Sequence, residues 1–76
     1  MSPKLPRITA RELLRALRQD GWEVLRHDGS HLQLKHPSKA GLVTVALHAG
    51  AIIKPKVLTS VLSQAGLTVE DLRRLL

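Results

Sequence analysis

A chain of 76 residues holds one domain with one modest core, and a second domain is excluded. It has no cysteine and a single aromatic residue, Trp22, so it lacks both a disulfide or thiolate framework and the stacking platforms that single-strand-binding folds lay beneath bases. Twelve Lys and Arg against six Asp and Glu leave a formal charge of +6, which makes nucleic acid the leading partner class, while no apolar run approaches the roughly 20 residues of a membrane span or resembles a signal peptide; a cytoplasmic location with no membrane partner is expected.

Residues 1–7, with Pro3 and Pro6 among polar and basic neighbours, read as a flexible arm ahead of a core at 8–67. Thr9 followed by Glu12 is a capping box, and Ile8 with Leu13 brackets it as a hydrophobic staple, so a helix starts here. Leu13, Leu14 and Leu17 form its buried stripe, Arg11, Arg15 and Arg18 recur on another face, and Gly21 stops it. Trp22 to His27 and Ser30 to His36 then flank Asp28-Gly29 as a β-hairpin. Leu42 to Leu47 supplies a third strand, with Val43, Val45 and Leu47 on one face. Pro55 opens a second helix whose stripe is Leu58, Val61, Leu62 and Ala65; Gly66 ends it, with Leu67 folding back on Leu62. Thr68, Glu70 and Asp71 start a short helical tail over 68–76. The order α-β-β-β-α predicts an α+β two-layer sandwich, one sheet face covered by helices.

The period of two in the second strand puts Leu32 and Leu34 on one face and His31, Gln33 and Lys35 on the other. A polar face beside a tight turn is open to substrate. RNA cleaves itself when its 2′-hydroxyl loses a proton and attacks the adjacent phosphorus, which asks for a proton acceptor, a proton donor and cations. Imidazole, with an ordinary pKa of roughly 6.5, serves as either acceptor or donor near neutrality. A two-residue loop at Asp28-Gly29 would set Arg26 directly across from His31, with Ser30, Gln33, Lys35 and Lys39 available to hold substrate. That register also turns Trp22 and Val24 onto the polar face, which conflicts with their apolar character, and a bulge or a longer loop would move Arg26 away from His31. An ordinary surface histidine is the competing reading of His31, and it is the preferred one for His27 and His36. His48 is an outside candidate for a second proton-transfer group. His31 and His36 point to opposite faces and no carboxylates cluster, so neither a metal nor another cofactor is expected.

Gly21-Trp22, Asp28-Gly29-Ser30-His31, His36-Pro37, Gly41-Leu42-Val43-Thr44-Val45 and Gln64-Ala65-Gly66-Leu67, in this order, resemble the HicA family over roughly Thr9 to Leu67. Ala46 stands where that family often has proline, and Leu34 where it often has an aromatic residue. The resemblance implies a double-stranded-RNA-binding-domain-like fold and a ribosome-independent ribonuclease that cuts mRNA. It also implies neutralisation by a HicB-type antitoxin that covers the histidine face, and a catalytic histidine that falls on His31. A module that binds RNA by shape without cutting it, and a protein-interaction domain whose charge serves solubility, are the alternatives.

Overall fold

The computed structural model describes residues 4–48 and 50–76; Met1 to Pro3 of the expected arm, and Ala49, lie outside the described residues. The elements run α1 (Ala10–Gln19), β1 (Glu23–Asp28), β2 (His31–Lys35), β3 (Val43–Ala46), α2 (Pro55–Ala65) and α3 (Val69–Leu75). The strands form one antiparallel sheet in the order β1-β2-β3. This is the expected α-β-β-β-α layout with a short C-terminal helix, an α+β arrangement consistent with a double-stranded-RNA-binding-domain-like fold.

Helix α1 begins where its capping box dictates: the Glu12 N–H donates to the Thr9 hydroxyl at 3.2 Å, and the Thr9 N–H donates to the Glu12 carboxylate at 3.0 Å. Ile8 and Leu13 are buried on either side of the cap, as a staple requires. The helix ends in a Schellman motif, with the Gly21 N–H on the Arg18 carbonyl and the Trp22 N–H on the Leu17 carbonyl, both at 3.0 Å. Trp22 is therefore drawn out of the first strand and into the helix stop, where it is buried against the core. Helix α2 starts on Pro55 and closes in the same way, with Gly66 at φ 68° and the Leu67 N–H reaching the Leu62 carbonyl at 2.9 Å.

Leu13, Leu17, Trp22, Leu32, Leu34, Val43, Val45, Leu58, Val61 and Leu62 meet in one apolar cluster between the sheet and the helices. The C-terminal tail is part of that cluster, because α3, capped by Thr68 and Asp71, buries Leu72 completely. The described part of the expected arm lies along α3: Leu5 packs against the core, and the Arg73 guanidinium donates to the Lys4 carbonyl. A pairing that periodicity does not reveal joins the entries to α1 and α2. The Ile53 N–H donates to the Ile8 carbonyl at 2.9 Å beside a Thr9–Ile52 bridge. On the outer side of β3, the Thr44 N–H donates to the Gln64 side chain of α2 at 3.0 Å.

One polar lock ties the loops at the end of the sandwich to the helix stops. The His36 Nε2–H donates to the Asp20 carbonyl at 2.7 Å, and its Nδ1 accepts the N–H groups of Ser38 and Lys39, both at 3.1 Å. Since a carbonyl only accepts and an amide N–H only donates, the ring carries its proton on Nε2. Its edge meets Trp22 at 5.2 Å between centroids. The Lys39 ammonium donates to the Asp20 carboxylate at 2.7 Å and to the Ala65 carbonyl at 3.0 Å, which anchors it at the negative end of α2.

Two expected outcomes follow from these contacts. Gly21 has φ 105°, and a Cβ placed on it would lie 2.7 Å from His36 Nε2; Gly21→Ala should cost more than about 1 kcal/mol in urea denaturation, and a change below about 0.5 kcal/mol would contradict the packing. The Asp71 carboxyl is held below its ordinary value of 3.8 chiefly by the Thr68 backbone N–H, then by the Thr68 hydroxyl, with Arg74 adding to them. A depressed carboxylate contributes stability that is complete above its ordinary pKa and is lost as pH falls through the lowered value. Between about pH 6 and about pH 2, urea denaturation should therefore show a smaller loss of stability for Asp71→Asn than for the parent chain, whereas equal losses would remove the carboxylate from the cap.

Candidate active site on the open face of the sheet

Helices cover the sheet face that carries Leu32, Leu34, Val43 and Val45, and the opposite face is left open. The hairpin connecting β1 and β2 decides what stands there. Its two loop residues are Gly29 and Ser30, not Asp28 and Gly29: Gly29 takes φ 62° at the first central position, and among the described residues none other than glycine has a positive φ. That is the demand of a II′ turn, whereas a I′ turn would need a second left-handed residue.

The one-residue shift changes the partner of every residue near the turn. Asp28 pairs with His31, His27 with Leu32, and Arg26 with Gln33. Arg26, expected directly across from His31, is instead its diagonal neighbour, at about 7–8 Å along the sheet and within reach of a long side chain. Asp28 takes the opposing position. The sequence carried a signal for this, since Gly-Ser is itself a hairpin dipeptide of the II′ kind.

A bulge then repairs the conflict between the polar face and the apolar residues at the start of β1. The ladder skips Leu25, so that Val24 pairs with Leu34 and Glu23 with Lys35. Val24 and Trp22 return to the core side, and Leu25 is left 51% exposed. Across β3, His31 pairs with Ala46 and Gln33 with Thr44. The open face thus consists of three cross-strand rows: Asp28, His31 and Ala46; then Arg26, Gln33 and Thr44; then Glu23 with Lys35.

His31 is exposed, at the start of β2, on backbone held from both sides. Ser30 beside it is fixed by its carbonyl, which accepts the Leu47 N–H at 2.6 Å. Of the residues expected to hold substrate, Arg26, Ser30 and Gln33 lie around the imidazole, and Lys35 shares its face about 13 Å further along the strand. Lys39 does not join them, because its ammonium is committed to Asp20 and Ala65. His36 is committed to the polar lock. His27 is exposed at the sheet edge on the core side, opposite Leu32, and His48 follows β3 near Arg11 and Leu47. Among the described residues, no group of three or more His, Cys, Asp and Glu comes together as a metal-binding set, and no helix is long and apolar enough to cross a membrane.

An open, cation-bearing sheet face with one exposed imidazole can exchange protons with a bound ligand and attract its phosphates. Residues 10–67 match the model of a family described as HicA toxin of bacterial toxin-antitoxin. No curated protein matches the chain. The matched stretch runs from the first residue of α1 through the glycine stop of α2, and so takes in the whole sheet and every row of the open face. On that match the chain belongs to the HicA toxin family, and it is a toxin of a bacterial toxin–antitoxin system.

Proposed function

We propose that the toxin is an endoribonuclease that cleaves mRNA in the cytoplasm, independently of the ribosome and without a metal ion, and that a HicB-type antitoxin neutralises it. The observation that carries this reading is the exposed imidazole of His31 on an open sheet face, with a guanidinium diagonal to it. The whole chain acts as one domain, since α3 and the segment before α1 contribute to the same apolar cluster as the sheet.

In the proposed reaction His31 accepts the proton of a ribose 2′-hydroxyl, and the 2′-oxygen forms a bond to the adjacent phosphorus. The 5′-oxygen of the next nucleotide leaves and takes up a proton, giving a 2′,3′-cyclic phosphate and a free 5′-hydroxyl. Arg26 offsets the charge on the phosphoryl oxygens, and its reach from the neighbouring row brings the guanidinium to the imidazole's side of the sheet. Gln33 and Ser30 donate hydrogen bonds to the same linkage, and Lys35 holds the phosphate of a flanking nucleotide. Strands position His31, Arg26, Gln33 and Lys35 more rigidly than a loop would, and proton transfer across about 3 Å needs that rigidity.

His31→Ala should abolish both cleavage of purified mRNA in the absence of ribosomes and growth arrest on expression, and should change stability by less than about 0.5 kcal/mol because the ring is exposed. The parent chain should cleave equally well in excess EDTA. Cleavage that survives His31→Ala would sink the assignment of the imidazole, and RNA binding without cleavage by the parent chain would leave a recognition module in place of an enzyme. Arg26→Ala and Lys35→Ala should each weaken RNA binding and lower the slope of log affinity against log salt by about 1; Lys39→Ala should leave that slope unchanged and lower stability instead.

A further inference from the structure

The entries to α1 and α2 lie side by side at one end of the molecule, joined by the Ile8–Ile53 hydrogen bond and the Thr9–Ile52 bridge. Between them and the end of β3 runs a groove of about 410 Å³ walled by Ala10, Ala46, Ile52 and Val57. Ile52 is 43% exposed and Val57 42%, two of the five large apolar side chains that the described residues leave open to solvent. Leu58, not Val57, begins the buried stripe of α2, so the fold itself does not use these two surfaces. An aliphatic floor gives a nucleobase nothing to stack on, but it accepts the aliphatic side chains of a protein.

The rim of the groove is cationic. Lys54 stands on it, Arg11 stands where the surface continues past His48 onto α1, and Arg7 stands beyond Ile53. None of the three is paired with a carboxylate among the described residues, where the ion pairs are Lys39–Asp20 and Arg74–Asp71. Glu12, the acid next to Arg11 in the chain, is held by Thr9 in the helix cap.

We propose that the antitoxin of the pair anchors in this groove, through a segment that sets aliphatic side chains on Ile52 and Val57 and carboxylates on Arg7, Arg11 and Lys54. The proposal rests on the chain's place in a toxin–antitoxin family and not on the chemistry assigned to His31. Charge complementarity selects an acidic segment, and rim charges of this kind act mainly on the rate of association. Ala46 lies in the groove wall and is also the cross-strand partner of His31. A segment seated in the groove therefore reaches the rim of the open face, so that holding the toxin and covering its imidazole are done by adjoining but separate surfaces.

The test uses the full chain carrying His31→Ala and the cognate antitoxin, identified as the protein that relieves growth arrest by the parent chain. Val57→Asp and Ile52→Asp should each weaken antitoxin binding by at least about tenfold with circular dichroism unchanged, and Arg11→Glu with Lys54→Glu should weaken it and flatten its salt dependence. In chains that keep His31, the same substitutions should leave growth arrest intact but no longer relieved by the antitoxin. Binding within about twofold of the parent for both aspartate variants and for the glutamate pair would overturn the proposal. Loss of RNA affinity with antitoxin binding intact would assign the groove to RNA, and self-association of the parent chain that Val57→Asp abolishes would assign it to a second copy; either overturns it. Should an aspartate variant fail to fold, the glutamate pair, confined to exposed side chains, decides alone. Growth arrest that persists in His31→Ala would bear on catalysis only, since the binding measurement does not depend on it.

Discussion

Side chains alternate across a strand, so the register of the β1–β2 hairpin decides which residues meet water and which meet the helices. Two local features set it. The II′ turn at Gly29–Ser30 brings Asp28 opposite His31, and the bulge at Leu25 reverses the alternation once, so that Val24 faces the core while Arg26 stays with Gln33 outside. Without the bulge a single register could not satisfy both ends of β1. The start of the strand buries an apolar side chain beside Leu34, and its end sets Arg26 on the open face diagonal to His31. The bulge is thus as much a part of the candidate site as the residues that line it.

The other constraint lies at the far end of the sheet. His36 follows directly on β2 and could have been read as a second chemical group, but both of its ring nitrogens are engaged and its ring leans on Trp22. Lys39 is drawn into the same lock. These contacts join the stop of α1, the β2–β3 loop and the last turn of α2, and so hold the helix layer against the sheet. The four histidines therefore differ in function by position: one holds the fold, one faces solvent on the open sheet, and the other two flank it.

Much of the fold was legible in the sequence because it is written in short-range chemistry. Thr9 with Glu12, Pro55, Gly66 with Leu67, and Thr68 with Asp71 mark helix ends through contacts within three to five residues, and each end falls where those residues set it. Alternation in β2 was likewise enough to set His31, Gln33 and Lys35 on the open side. The remainder depends on interactions between distant segments. Asp28-Gly-Ser holds two acceptable turns that leave every side chain on the same face, so alternation does not select between them, and it is the bulge at Leu25 that returns Val24 to the core. That Lys39 meets Asp20 and Ala65, that Ile53 pairs with Ile8, and that Leu72 fills the core are facts of tertiary packing with no periodic signature.

Both margins of the sheet are partly blunted against further strands. On one side the Leu25 bulge breaks the run of free amides and carbonyls, and Glu23, Arg26 and Asp28 place charge along it. On the other side a glutamine from α2 occupies the Thr44 amide. An unpaired strand edge is a template for pairing with another chain, and blunted margins of this sort disfavour such edge-to-edge contact between copies.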